Sequence, residues 1–275
     1  MKFESLDEKL RAKIEHCRAL ISRAGRLAIG FSGGVDSALL LAVAIDVLGV
    51  QNVLAVTATG FFHPDSETND ARELARMLGA NIEEISFENI DDERVLSNPP
   101  DRCYWCKRKI FSMIAELAQA QGFDAVASGA NFDDLSDYRP GTRAENELGI
   151  LKPLQQAKLT KADIRELSRA LDLPTASKPS KACLASRVPY GTRLTAEKLA
   201  RIDQAEQGLT RLGFPQCRVR DHENLARVEV PKNQLAGALE QRDKIVKILQ
   251  QAGYQYATLD LQGFRTGSMN ETLDL

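Results

Sequence analysis

The chain has 275 residues, with 36 Lys and Arg against 38 Asp and Glu, a net charge of −2, 43% apolar residues and 27% charged ones. This composition excludes a disordered chain and supplies the mass for a sizeable core in one large domain or two smaller ones. The near-neutral balance argues against a nucleic-acid binder, which needs an excess of cations, and no apolar run reaches the ~18–20 residues that span a bilayer.

Residues 1–16, MKFESLDEKLRAKIEH, are charged throughout and lack the apolar stretch of a secretory signal, so a cytoplasmic protein without membrane partners is expected. In chain order, Leu6, Leu10, Ile14, Cys17, Leu20 and Ile21 recur at three- and four-residue steps and predict a helix over 5–23, ended by Gly25. The apolar run 27–31 suits a buried parallel strand, 32–36 a glycine turn, and 38–48 an apolar helix stopped by Gly49. Strands are predicted over 52–57, 81–87 and 123–128, with helices over 67–78 and 110–121. This alternation describes an α/β fold, a parallel sheet with helices on both faces.

The polar stretch 131–143 reads as a loop and 160–171 as a helix. Residues 174–195 hold three prolines and few periodic apolar positions, which marks a long ordered loop of the kind that carries function. Beyond it, helices are predicted over 196–212 and 234–251 and strands over 216–220, 226–230 and 256–261. The expected organisation is a first domain over 1–173, a connecting active-site loop over 174–195 and a small α+β substrate or oligomerisation domain over 196–275.

The strongest chemical signal is Ser32-Gly33-Gly34-Val35-Asp36-Ser37 between a strand and a helix. Two glycines let backbone N–H groups turn toward an anion, and the following helix N-terminus favours phosphate at the same spot. The Lys-Ser/Thr of a Walker A loop is missing. A plain strand–turn–helix corner is the bland alternative. Five cysteines, at 17, 103, 106, 183 and 217, make an odd count that argues against a disulfide framework. Cys17 and Cys217 read as small core residues, and His63 and His222 as surface residues. Cys103-Tyr104-Trp105-Cys106 is a spaced pair with Cys183 far downstream, compatible with two incidental thiols, zinc or a redox relay as well as with sulfur chemistry. Arg218 and Arg220 alternate along a predicted strand, so both side chains leave one face; two guanidinium forks there suit a phosphate, and a solvated strand face is the alternative.

The SGGVDS turn resembles the PP-loop signature of ATP pyrophosphatases, which adenylate a carboxylate or carbonyl and release pyrophosphate. Further segments follow in order: Ser128-Gly129-Ala130-Asn131-Phe132-Asp133-Asp134, Asp137-Tyr138-Arg139-Pro140-Gly141, Cys183-Leu184-Ala185-Ser186-Arg187-Val188-Pro189-Tyr190-Gly191-Thr192, and Leu259-Asp260-Leu261-Gln262-Gly263-Phe264-Arg265-Thr266-Gly267. Together they resemble the LarE family of ATP-dependent sulfur transferases over nearly the whole chain. The resemblance implies a PP-loop fold of the adenine nucleotide alpha hydrolase type. It also implies a mononucleotide substrate, pyridinium-3,5-biscarboxylic acid mononucleotide, whose carboxylates are adenylated and converted to thiocarboxylates for a nickel-pincer cofactor. ATP and Mg²⁺ are the implied cofactors, and a homo-oligomer the implied state. ATP would lie on Ser32, Gly33, Gly34, Asp36, Ser37 and Gly129; the substrate phosphate on Arg187, Arg218 and Arg220; a divalent ion on Glu206 and Glu229. The sulfur would come either from a 4Fe–4S cluster on Cys103, Cys106 and Cys183, as in three-cysteine members, or from Cys183 itself, left as dehydroalanine. The single-cysteine pattern has its cysteine one position earlier, at Ala182 of this chain. The alternatives are another PP-loop enzyme, thiolating tRNA or amidating a carboxylate, and a nucleotide-binding regulator without catalysis.

Overall fold

The apolar run beginning at Leu27 folds as the central strand of a parallel sheet, β1 (Leu27–Gly30). Before it lies α1 (Glu8–Ile21), capped by Asp7, whose carboxylate accepts a hydrogen bond from Leu10 N at 3.0 Å. Its Leu10, Ile14, Cys17 and Ile21 are buried at helical spacing. After the glycine turn come α2 (Val35–Leu48), β2 (Val53–Thr59), α3 (Asp65–Met77) and β3 (Asn81–Ser86). One turn of helix, α4 (Glu93–Leu96), precedes α5 (Arg102–Ala120), β4 (Ala125–Ala127), α6 (Pro140–Glu147), α7 (Pro153–Gln156) and α8 (Lys161–Ala170). The chain continues through α9 (Ala196–Arg211), β5 (Arg218–His222), β6 (Leu225–Glu229), α10 (Leu235–Glu240), α11 (Arg242–Gln251) and β7 (Tyr256–Leu259). The structure, a computed structural model, describes residues 3, 6–60, 62, 65–87, 92–136, 140–179 and 182–265. His63, Asp137, Tyr138, Arg139, Thr266 and Gly267, singled out in the sequence, lie outside the described residues.

The chain forms two compact units, Met1–Asn89 with Cys103–Lys181, and Ile90–Arg102 with Ala182–Leu275. In the first, the strand order is β3-β2-β1-β4, all parallel, with Leu27 in register with Val53 on one side and Ala125 on the other. The order reverses at β1, so the carboxyl ends of β1 and β4 flank the crevice where open α/β sheets bind ligands. α2 is apolar nearly all round and is buried against α1 and α8. α8 is fixed at its start by a capping box between Thr160 and Asp163.

In the second unit, β5 and β6 form an antiparallel hairpin, and β7 joins β6 in parallel after a helical crossover. Leu209, Phe214, Val219, Val228, Leu249 and Tyr254 fill its core. The fold class expected from the alternation is therefore the one observed.

Three local features differ from the sequence reading. α5 begins at Arg102 rather than near 110, so Cys103 and Cys106 stand in its first turns. α6 occupies part of the stretch expected as a loop, because only Gly141, Ala144 and Glu145 are buried on it and its apolar period is faint. The helix expected over 234–251 is divided at Gln241 (φ −99°, ψ 16°), which ends α10 and begins α11.

The unit boundaries also depart from the expected domain boundaries. Residues 90–102 belong with the second unit, and 182–195 of the expected connecting loop do so too. The cause is hydrogen bonding: buried Asn98 donates through Nδ2 to Val188 O (3.2 Å) and Pro189 O (2.9 Å). Its carbonyl accepts from Gly191 N (2.9 Å), and Leu96 O accepts from Leu194 N (2.8 Å). Pairing between such distant segments leaves no period in the sequence.

Candidate active site

The turn after β1 is shaped by Gly33 (φ +66°), a left-handed position that L side chains rarely adopt, and by Gly34, the N-cap of α2. Ser37 Oγ donates to Gly34 O at 3.2 Å and lies 3.3 Å from Ser32 Oγ, so the two hydroxyls sit together at the helix start. Asp36 is ion-paired with Lys161, at the first position of α8, and accepts from Asn131 Nδ2 at 3.4 Å. Asn131 is set by its own turn: its N–H donates to Asp134 Oδ2, and its Oδ1 accepts from Asp133 N, both at 3.0 Å. Lys178 donates to Asp70 Oδ2 at 2.8 Å and reaches Gly33 O at 3.5 Å. The turn thus lies between two lysines that the sequence reading did not single out as site residues.

A cleft of roughly 290 Å³ opens over this turn. Ser32, Asp36, Ser37 and Gly129 line it, together with Thr57, Glu67, Thr68, Lys107, Ser128, Asp134 and Glu145 and an apolar wall from Val56, Ile110, Phe111 and Ile114. An apolar wall beside a helix N-terminus with paired hydroxyls can take a flat base at one end and a phosphate at the other. Gly129 is the point of closest approach, since a Cβ there would lie 2.9 Å from Ser37 N and 3.2 Å from Asp36 C. Those are backbone atoms and cannot rotate away. Gly129→Ala should push back the first turn of α2 and lower the melting temperature by several degrees, as overpacking of about 1–3 kcal/mol would; if the turn holds a nucleotide phosphate, as the resemblance implies, it should also weaken AMP binding at least tenfold. Thermal melting and calorimetric titration check this, and wild-type values in both would show that the turn has slack.

In the second unit, two of the arginines expected to bind phosphate pair with the two glutamates expected to bind metal. Arg187, 1% exposed, clasps Glu206 through Nε–Oε1 (2.9 Å) and Nη2–Oε2 (2.8 Å). Its Nη1 donates to the carbonyls of Ala182 (2.7 Å) and Cys183 (3.2 Å), so the guanidinium organises the backbone that carries Cys183. Glu206 Oε1 also accepts from Val219 N at 3.0 Å. Arg220 clasps Glu229, 0% exposed, at 3.0 and 2.7 Å, and donates to Ser186 O at 2.9 Å. Arg218, also buried, donates to Cys217 O and lies over the Phe264 ring. Burial, reinforced by the charge of Arg187, pushes the Arg218 guanidinium down to about 10.

Both oxygens of Glu206 and of Glu229 are taken by guanidinium forks, so the pair does not fit a divalent ion in this arrangement. Among the described residues no three His, Cys, Asp or Glu side chains gather as a metal-binding group. Cys183 is exposed, and Cys103 and Cys106 are half-buried. Cys17 and Cys217 are buried as expected of core residues, and burial pushes both thiols up to about 12, which leaves neither a nucleophile at neutral pH. His222 is exposed.

A parallel sheet of order 3-2-1-4, with a Ser-Gly-Gly-Val-Asp-Ser turn under a cleft at its carboxyl edge, defines a domain of the PP-loop superfamily. Residues 3–98 match the NAD synthase family. An uncharacterized protein of Synechocystis sp. is 40% identical over 96% of this chain and 99% of its own length. The pyridinium-3,5-bisthiocarboxylic acid mononucleotide synthase of Lactiplantibacillus plantarum is 41% identical over 90% of both chains. A tRNA-specific 2-thiouridylase of Rhodococcus erythropolis is 33% identical over 56% of this chain and 50% of that protein. The chain belongs to the LarE family, that of the bisthiocarboxylic acid mononucleotide synthase.

Proposed function

We propose that this chain transfers sulfur to a pyridinium dicarboxylate mononucleotide, activating each carboxylate with ATP. The observation that carries this reading is 41% identity to the bisthiocarboxylic acid mononucleotide synthase across 90% of both chains. The cleft over Gly33–Ser37 supports the ATP step. A carboxylate oxygen attacks the α-phosphorus, pyrophosphate leaves, and the acyl adenylate carries AMP as a leaving group far better than oxide. The N–H groups at the start of α2 and the hydroxyls of Ser32 and Ser37 stabilise the charge on the phosphates, with Mg²⁺ arriving as the counter-ion of ATP. A sulfur nucleophile then adds to the acyl carbon and AMP departs.

The sulfur comes from the set Cys103, Cys106 and Cys183. If Cys183 is consumed, its Sγ forms the thioester, the Cβ–S bond breaks with loss of the Cα proton, and dehydroalanine remains. Arg187, Arg218 and Arg220 gather as buried guanidiniums in one unit, with Arg218 and Arg220 two residues apart on one strand, and this supports a role for Arg218 and Arg220 at the substrate phosphate. Homo-oligomerisation and a cytoplasmic location belong to the same proposal.

The test is pyrophosphate release from ATP that depends on the dicarboxylate mononucleotide and yields AMP and thiocarboxylate. Asp36→Ala should reduce it at least a hundredfold, because removing the carboxylate frees Lys161 and Asn131 from the turn. Release that ignores the mononucleotide, or ATP binding without any release, would refute the reading and favour a regulator.

A further inference from the structure

Helix α6 carries Gly141 and Glu145 four residues apart, hence on one face. Both meet Lys107 of α5. A Cβ at Gly141 would lie 2.6 Å from Lys107 Cδ and 3.2 Å from Cγ and Cε, so the absence of a side chain there makes room for the lysine stem. Glu145, 0% exposed, accepts from Lys107 Nζ through Oε1, while its Oε2 has no hydrogen-bond partner. Buried Lys152 donates to Asn146 Oδ1 on the same helix rather than to this carboxylate. Lys107, Glu145 and Ser128, whose buried Oγ also has no partner, line the cleft above Ser32–Ser37.

An ammonium has three donors, and Glu145 Oε1 takes one. We infer that Lys107 contacts the ligand, donating to an anionic oxygen at the reacting centre, and that Gly141 and Glu145 are positioning residues that hold it there. Attack of a carboxylate on a phosphate brings two anions together, and a fixed cation in the cleft offsets their repulsion. The inference rests on the adenylation reading, and the oxygen belongs to the nucleotide phosphate or to the substrate carboxylate.

The experiment compares AMP, adenosine and the dicarboxylate mononucleotide on Lys107→Met, which keeps an unbranched stem against Gly141. If the contact is to phosphate, AMP affinity falls about 10- to 100-fold, the range of a charge-assisted hydrogen bond, and adenosine affinity is unchanged. If it is to the carboxylate, AMP affinity is unchanged and kcat/KM for the mononucleotide falls by the same factor. Gly141→Ala, which displaces the stem and removes no charge, reproduces part of either loss, and Lys107→Arg restores part of it. These two variants also carry the test should Lys107→Met fail to fold. Unchanged AMP affinity together with unchanged kcat/KM overturns the inference, and so does an equal loss for AMP and adenosine, which marks a structural role. Should the wild-type protein release no pyrophosphate, the proposed function fails while the AMP–adenosine comparison still reads Lys107.

Discussion

Cys183→Ala should leave mononucleotide-dependent pyrophosphate release intact and yield no thiocarboxylate over multiple turnovers. On the proposed function, the two half-reactions would use different parts of the chain. Adenylation would draw on the turn after β1 and the cleft above it, within the first unit. The sulfur step needs a thiol, and Cys17 and Cys217 are held protonated by burial. Cys183 is exposed, and Arg187 fixes its carbonyl and that of Ala182. Alanine at 183 keeps that backbone geometry and removes only the sulfur. Cys103→Ala and Cys106→Ala tell the sources apart. If Cys183 is consumed, both variants complete one turnover and the intact wild-type mass falls by about 34 units, the H₂S lost as cysteine becomes dehydroalanine. If all three variants fail and the anaerobically purified protein carries iron and sulfide, the thiols act together through a cluster. Thiocarboxylate made repeatedly by Cys183→Ala would remove Cys183 from the mechanism.

The largest effect on stability is expected at Glu229. Glu229→Ala should destabilise the second unit by about 3–5 kcal/mol, because it removes the buried carboxylate that clasps the buried Arg220 guanidinium. Glu229→Gln should recover part of this through one retained hydrogen bond. Denaturant unfolding measures it. The resemblance to LarE enzymes suggests instead that Glu229 and Glu206 hold a divalent ion, and the two accounts separate cleanly. Under the ion-pair account, a chelator leaves wild-type stability unchanged. If the chelator lowers it to the level of Glu229→Gln and has no effect on that variant, the carboxylate serves a metal.

The sequence by itself determined the sheet and the turn. Leu27 to Phe31 is an apolar run followed by Ser32 and two glycines, and Val35 to Leu48 is apolar on nearly every face; a short-range pattern of that strength gives a buried strand feeding a buried helix through a glycine turn. The burial of Cys17 and Cys217 follows from the same local logic.

Only the tertiary structure decided what the charged groups do. The resemblance implied a divalent ion on Glu206 and Glu229 and a phosphate on Arg187, and the residue pattern alone allowed solvated faces for the glutamates. The fold sets each glutamate against an arginine, 19 residues away in one case and 9 in the other. Lys161 gave no signal beyond a helix start, yet it lies against Asp36, 125 residues distant. Lys107, Gly141 and Glu145 likewise carry no shared period, since their meeting depends on how α6 packs beside α5. Hydrophobic periodicity reports which face of an element is buried; the partner of a buried charge is fixed by packing between elements, at separations where no repeat in the chain records it.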